Sequence, residues 1–210
     1  MLERTSATLD TDEQKVSYGF GIQFGDQLKK NTFEGMDLEA VIAGIVDWYT
    51  DGASQLSDAE LNPAYQAIQT KQQAKQAQHS AAQEQIAREF MAQNSDRDGV
   101  IVTDSGLQYE VLESGEGAKP ELTSTVVVHY HGTLVDGSVF DSSIQRGEPA
   151  TFGVTQVIPA WTEALTRMSV GDKWRLFAPP HLAYGEQGAG GVIPPNAALI
   201  FEVHLISIES

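Results

Sequence analysis

The stretch Val128-His129-Tyr130-His131-Gly132-Thr133-Leu134-Val135-Asp136-Gly137-Ser138-Val139-Phe140-Asp141-Ser142-Ser143 carries the pattern that decides how the second half of this chain folds. Val126, Val128 and Tyr130 recur at period two, the spacing of a half-buried strand, and Asp136-Gly137 is a turn dipeptide. The same reading extends outward. Leu107, Tyr109 and Val111 alternate upstream, while Lys173–Ala178 and Leu199–Ile208 read as strands downstream. Ser114-Gly115-Glu116-Gly117 and Val170-Gly171-Asp172 supply further turns. Between the strands, Trp161, Ala164, Leu165 and Met168 share one face of a short helix. A curved antiparallel sheet wrapped on one helix is predicted.

The first half obeys a different period. Seven of the 8 prolines lie at Pro120 or later, so long helices are permitted before that point. Val16, Phe20, Phe24 and Leu28 form an apolar stripe on a helix predicted over Asp12–Lys30. Gly21 and Gly25 repeat the spacing beside it, either admitting a second helix closely or merely weakening this one. A second helix is expected over Leu38–Tyr49, with Asp37 as N-cap and Gly52 as stop. Ser57-Asp58-Ala59-Glu60 fits a capping box flanked by Leu56 and Leu61. It opens a third helical segment running to about Asn94, in which Pro63 predicts a kink or a restart capped by Asn62. Gln66–Gln85 is mostly Gln, Ala and Lys, good helix formers with nothing to pack against. Its anchors are Leu61, Tyr65 and Ile68 at one end, then Ile86 and Phe90 at the other. Some 38 residues of helix would span roughly 57 Å as an exposed spacer. Asn94-Ser95-Asp96-Arg97-Asp98-Gly99 reads as a polar hinge.

Composition narrows the function. The 210 residues are 41% hydrophobic, enough for a core, and the net charge of −16 opposes phosphate backbones and anionic lipid surfaces. Nucleic acid and membrane are therefore not expected partners. Without cysteine, thiolate chemistry and disulfides are excluded. The amino terminus lacks the apolar run of a secretory leader, which predicts a cytoplasmic protein; the alternative is a periplasmic one whose leader has been removed.

Five motifs follow one another in the second half: the quoted stretch, Val157-Ile158-Pro159-Ala160-Trp161, Ala183-Tyr184-Gly185, Val192-Ile193-Pro194-Pro195-Asn196-Ala197, and Leu199-Ile200-Phe201-Glu202-Val203. In this order they resemble an FKBP-type peptidyl-prolyl cis–trans isomerase domain from about Ser105 to Ser210. The whole chain is similar to the bacterial isomerases of the FklB and macrophage-infectivity-potentiator group. That resemblance implies an α+β protein: a helical dimerisation domain at 1–56, a linking helix at 57–95, and an isomerase domain at 96–210. It also implies a homodimer, unfolded or proline-containing polypeptide clients, and inhibition by macrolide immunosuppressant-type compounds.

Carried over residue by residue, the resemblance makes Tyr130, Phe140, Trp161, Tyr184 and Phe201 the pocket walls, with Trp161 as floor. Asp141 is the pocket carboxylate, held by Arg146, and Tyr184 a hydroxyl donor to the peptide. Val157 and Ile158 match the segment whose Ile158 N–H binds a substrate carbonyl, while Val192 and Ile193 fill the rim. Tyr130, Phe140, Asp141, Trp161 and Tyr184 are the expected catalytic residues; no cofactor or metal is expected. Two departures stand out. Ala150 occupies the place of a pocket phenylalanine, and Ala189 and Gly190 sit in a flap that is often bulkier, so a more open rim is predicted. His129 and His131 read as solvent-facing strand residues, and Gly185–Gly191 as a flexible flap. A dimeric holdase or scaffold, whose pocket only binds, is the competing function.

Overall fold

The computed structural model describes residues 7–50 and 52–209. The opening residues, on which the expected absence of a leader rests, lie outside that range. The chain forms two compact units whose boundary falls between Lys75 and Gln76.

The first unit begins with α1, Asp12–Lys30. A reciprocal cap starts it: Gln14 N donates to Thr11 Oγ1 at 3.3 Å, and Thr11 N donates to Gln14 Oε1 at 3.1 Å. Asp12 and Glu13 in the first turn and Lys29 and Lys30 in the last complement the helix dipole. Helix α2, Leu38–Thr50, starts where Asp37 Oδ1 accepts from Glu39 N at 2.9 Å. Gly52, at φ 61°, closes it by donating to Trp48 O at 3.2 Å. Neither helix has a buried residue.

Helix α3 runs unbroken over Asp58–Ser95, through Pro63. The restart predicted there is not found, since the helix is continuous across the proline. Proline removes one hydrogen bond near the helix start, and the good helix formers that follow carry the segment past it. The Ser57–Glu60 cap also differs from the expected box. Glu60 Oε2 accepts both Ser57 N at 3.0 Å and Ser57 Oγ at 2.8 Å, so the hydroxyl donates to the carboxylate rather than capping the helix backbone.

Within the second unit the end of α3 is not a hinge. Asn94 is buried and donates to Gln108 Oε1 at 2.8 Å, and Gln108 Nε2 donates to Met91 O at 2.8 Å. Arg97 Nη1 donates to Asn94 Oδ1 at 2.7 Å and its guanidinium lies over Phe177, whose ring also meets Phe90 at 6.0 Å. Polar residues that looked solvated in sequence satisfy one another in a docked joint, as buried polar groups must.

Seven strands follow: β1 Val100–Val102, β2 Gln108–Glu113, β3 Thr125–Leu134, β4 Val139–Ser142, β5 Ala150–Gly153, β6 Lys173–Ala178 and β7 Leu199–Glu209. They pair antiparallel in the order β1-β2-β6-β7-β3-β4, with β5 sharing the β4 edge of β3. Short α4, Ser143–Arg146, leaves β4, and α5, Pro159–Arg167, lies between β5 and β6. Ala160, Trp161, Ala164 and Leu165 of α5 are buried in one cluster with Val126, Val128, Tyr130, Leu176, Phe201 and Val203 of the sheet. The predicted sheet-on-helix architecture is thus present. Strands β1, β4 and β5 were not predicted; each has only three or four residues, too few for a period to register.

Candidate active site

The site is built from β3, β4, β5 and β7 around Trp161 of α5. Strand alternation points Val126, Val128 and Tyr130 inward. Proline at the first position of α5 fixes its start, and the helical repeat then sets Trp161 in the core below Tyr130. The Trp161 ring makes edge contacts with three others: Tyr130 at 5.3 Å, Phe201 at 5.4 Å and Phe152 at 5.7 Å between centroids. Phe140 meets Phe201 edge-on at 5.5 Å. Close approach there requires Gly132, because a Cβ on that residue would lie 2.7 Å from Phe140 Cζ and 3.1 Å from Phe201 Cε1.

These rings enclose a cavity of about 390 Å³ lined by Tyr130, Phe140, Asp141, Phe152, Gln156, Val157, Ile158, Trp161, Tyr184 and Phe201. One charged group reaches it. Asp141 Oδ2 accepts the Tyr130 hydroxyl, and Oδ1 pairs with Arg146 Nη1. Arg146 Nη2 donates to Tyr130 Oη at 2.8 Å, closing a three-membered network. Burial pushes the Asp141 carboxyl up, but the Tyr130 hydroxyl and the Arg146 guanidinium outweigh it and hold the group below the usual carboxylate range. Burial, joined by the hydrogen bond to Asp141, pushes the Tyr130 phenol up. The serines beside Asp141 position this network. Ser143 Oγ accepts from Tyr130 N at 2.8 Å, and Ser142 Oγ caps α4 by accepting from Gln145 N at 3.2 Å.

Eight of the residues singled out in the sequence, Tyr130, Phe140, Asp141, Val157, Ile158, Trp161, Tyr184 and Phe201, line one cavity. Arg146 stands behind Asp141. Val192 and Ile193 are not among the lining residues: Val192 is exposed and Ile193 is buried in the core. Two lining residues were missed. Phe152 supplies the aromatic wall whose loss was inferred at Ala150; Ala150 pairs with Val128, and period two carries the wall to the residue two places on. Gln156 reaches the cavity through a turn in which its N–H donates to Gly153 O at 2.9 Å, a placement with no sequence periodicity behind it.

The flap carries backbone hydrogen bonds of its own. Ala189 and Ile193 exchange two backbone hydrogen bonds of 3.0 Å each, and a Cβ on Gly188 would meet Ile193 O at 2.2 Å. His129 and His131 are half-buried rather than solvent-facing, their Nδ1 atoms 3.1 Å and 3.0 Å from Ser143 Oγ and Ser142 Oγ.

The chain that builds this cavity has close counterparts in sequence and fold. The family model for FKBP-type peptidyl-prolyl cis-trans isomerase matches residues 116–206, and that for the domain amino terminal to it matches 13–111. The FKBP-type 22 kDa peptidyl-prolyl cis-trans isomerase of Escherichia coli K12 is 46% identical over 204 residues, 97% of this chain and 99% of that protein. The chain belongs to the FKBP-type peptidyl-prolyl cis–trans isomerases. A second relative of this isomerase, the outer membrane protein MIP of Legionella longbeachae, is 39% identical over 100% of this chain and 91% of its own length. The crystal structure of FkpA from Escherichia coli superposes with a TM-score of 0.69 at 38% identity, covering 96% of this chain and 99% of that one. The helical amino-terminal region, long helix and carboxy-terminal antiparallel sheet are common to both.

Proposed function

We propose that this isomerase accelerates proline-limited folding of polypeptide clients, with Tyr130, Phe140, Asp141, Trp161 and Tyr184 acting on the prolyl bond. The observation that carries this reading is the cavity of about 390 Å³ walled by edge-packed aromatic rings around Trp161. An X–Pro amide resists rotation by about 18–20 kcal/mol because twisting sacrifices C–N resonance. The planar amide is more polar than the twisted one, so a dry aromatic wall favours the twisted state. Trp161 forms the floor under the proline ring, Phe140, Phe152 and Phe201 the walls. Ile158 N–H and the Tyr184 hydroxyl hold the flanking peptide carbonyls, with Arg146 and Val157 contributing to substrate binding around them. Rotation breaks no covalent bond, so the reaction uses neither nucleophile nor cofactor. A macrolide inhibitor carrying a proline-like ring would compete for the same floor.

The proposed assembly is a homodimer through α1 and α2, whose cradle holds clients in chaperone fashion. Its support is the apolar surface of those helices, where Phe20 is 57%, Phe24 59% and Trp48 69% exposed. A stripe of that kind is covered in a stable soluble fold, and a unit of this size is marginal alone. Gly21 and Gly25 face open space in the single chain, leaving room for a crossing helix. The compartment proposed is the periplasmic alternative rather than the cytoplasm, on the printed name of the outer membrane relative. A protease-free isomerisation assay on a proline-containing tetrapeptide tests the central reading. Turnover by the full chain is expected; peptide binding without any turnover would favour the holdase.

A further inference from the structure

Tyr184 sits between two single 3₁₀ turns, Pro180–Leu182 and Gly185–Gln187, on a segment with no strand partner. What steadies that segment comes from two distant places in sequence. Gly185 O accepts from Asn196 N at 2.8 Å, and Asn196 Nδ2 donates to Ser80 Oγ on α3 at 2.9 Å. Asn196 is the one non-glycine residue with positive φ among the described residues, at 58°. It occupies the second corner of a turn closed by Ala197 N donating to Pro194 O at 3.3 Å, with Pro195 at the first corner. Glycine would meet that backbone requirement without strain. The asparagine adds an amide, and the amide is spent on α3. Beneath the bridge, a cavity of about 450 Å³ lies between Glu84, Ala87, Arg88 and Met91 of α3 and Pro179, Pro180, His181, Gly185 and Glu186. Leu182 and Ala183 pack against the core on the other side of the loop; toward α3 the tie is the hydrogen-bonded chain Ser80–Asn196–Gly185.

We infer that Ser80 and Asn196 form a latch between α3 and the Tyr184 loop, making both positioning residues for substrate binding. The inference rests on the substrate-binding role proposed for Tyr184. Full-length variants S80A, N196G, S80A/N196G, Y184F and S80A/Y184F test it in the tetrapeptide assay. N196G keeps the positive φ and removes only the amide; S80A places a good helix former in α3. S80A and N196G are each expected to raise KM about threefold to tenfold, the worth of one hydrogen bond, with kcat within about twofold. The double variant should be no worse than either single, and S80A should add nothing once Tyr184 is Phe. An unchanged KM in S80A, or an S80A effect that persists in the Y184F background, overturns the latch. A wild-type chain without turnover, or Y184F with unchanged KM, instead overturns the reading of the site on which the latch stands.

Discussion

Asp141 is the residue at which the proposed desolvation mechanism is most directly tested. Both its oxygens are occupied, one by the Tyr130 hydroxyl and one by Arg146. Asp141→Ala frees those two groups and loosens the Tyr130 ring, so a partial loss of kcat/KM is expected, about fivefold to thirtyfold for a charge-assisted hydrogen bond. Abolished turnover in a variant with native circular dichroism would mean proton transfer and reject the desolvation account. The pH dependence follows from the lowered carboxyl. A depressed folded-state pKa contributes stability above the unfolded value, about 3.9, which is lost as pH falls through the lower folded value. Activity is therefore expected to stay level from about pH 6 to 8, and a rate–pH profile with a step in that window would contradict it. Gly132 makes a second test. A methyl group there overlaps Phe140 and Phe201, and overpacking of this kind costs about 1–3 kcal/mol. Gly132→Ala should lower both the melting temperature and kcat/KM, whereas alanine at Gly137, where nothing lies within 4 Å, should spare the rate. Of these residues, Asp141 and the aromatics were legible through their motif neighbours. Phe152 was not, because its role depends on which strand β5 pairs with.

At the scale of elements, α3 is the part whose sequence and structure differ most in meaning. Its helicity was readable from Gln, Ala and Lys content, and its length agrees with the Asp58–Ser95 helix observed. Its docking was not readable. Ala87 and Asn94 are buried, Phe90 touches Phe177, and Asn94, Gln108 and Arg97 close a polar network beside that aromatic pair. The second compact unit accordingly begins at Gln76 and includes the last turns of α3. A fragment of residues 76–210 is expected to melt well above one of residues 96–210, which lacks those contacts. Within the full chain, Asn94→Ala leaves the Gln108 amide short of a buried partner and should cost about 1–3 kcal/mol. Equal melting temperatures for the two fragments would show that the α3 joint contributes nothing.

At the scale of the whole molecule, the expected division of labour is between a unit that pairs copies and a unit that turns over proline. Residues 76–210 should be monomeric by light scattering and keep most activity on a short peptide. The full chain should be dimeric and faster in refolding a proline-limited protein, because two client contacts add through effective concentration. A monomeric full-length chain would remove the dimer, and equal refolding rates for chain and fragment would remove the cradle.

Periodicity and turn chemistry, which act over a few residues, were enough for the sequence alone to determine α1, α2, the long helix, the principal strands and the α5 face. Ordered motifs added the family and eight residues of one cavity. What only the tertiary structure decided were the contacts between residues far apart in sequence: Phe152 packed edge-on against Trp161, Ile193 turned into the core, Asn94 buried at a joint, and Ser80 tied to Asn196 across 116 positions. The reason is the range of the forces. A local pattern records which face of an element is apolar, but the partner of a given hydrogen bond depends on where another element comes to rest after the whole chain has folded.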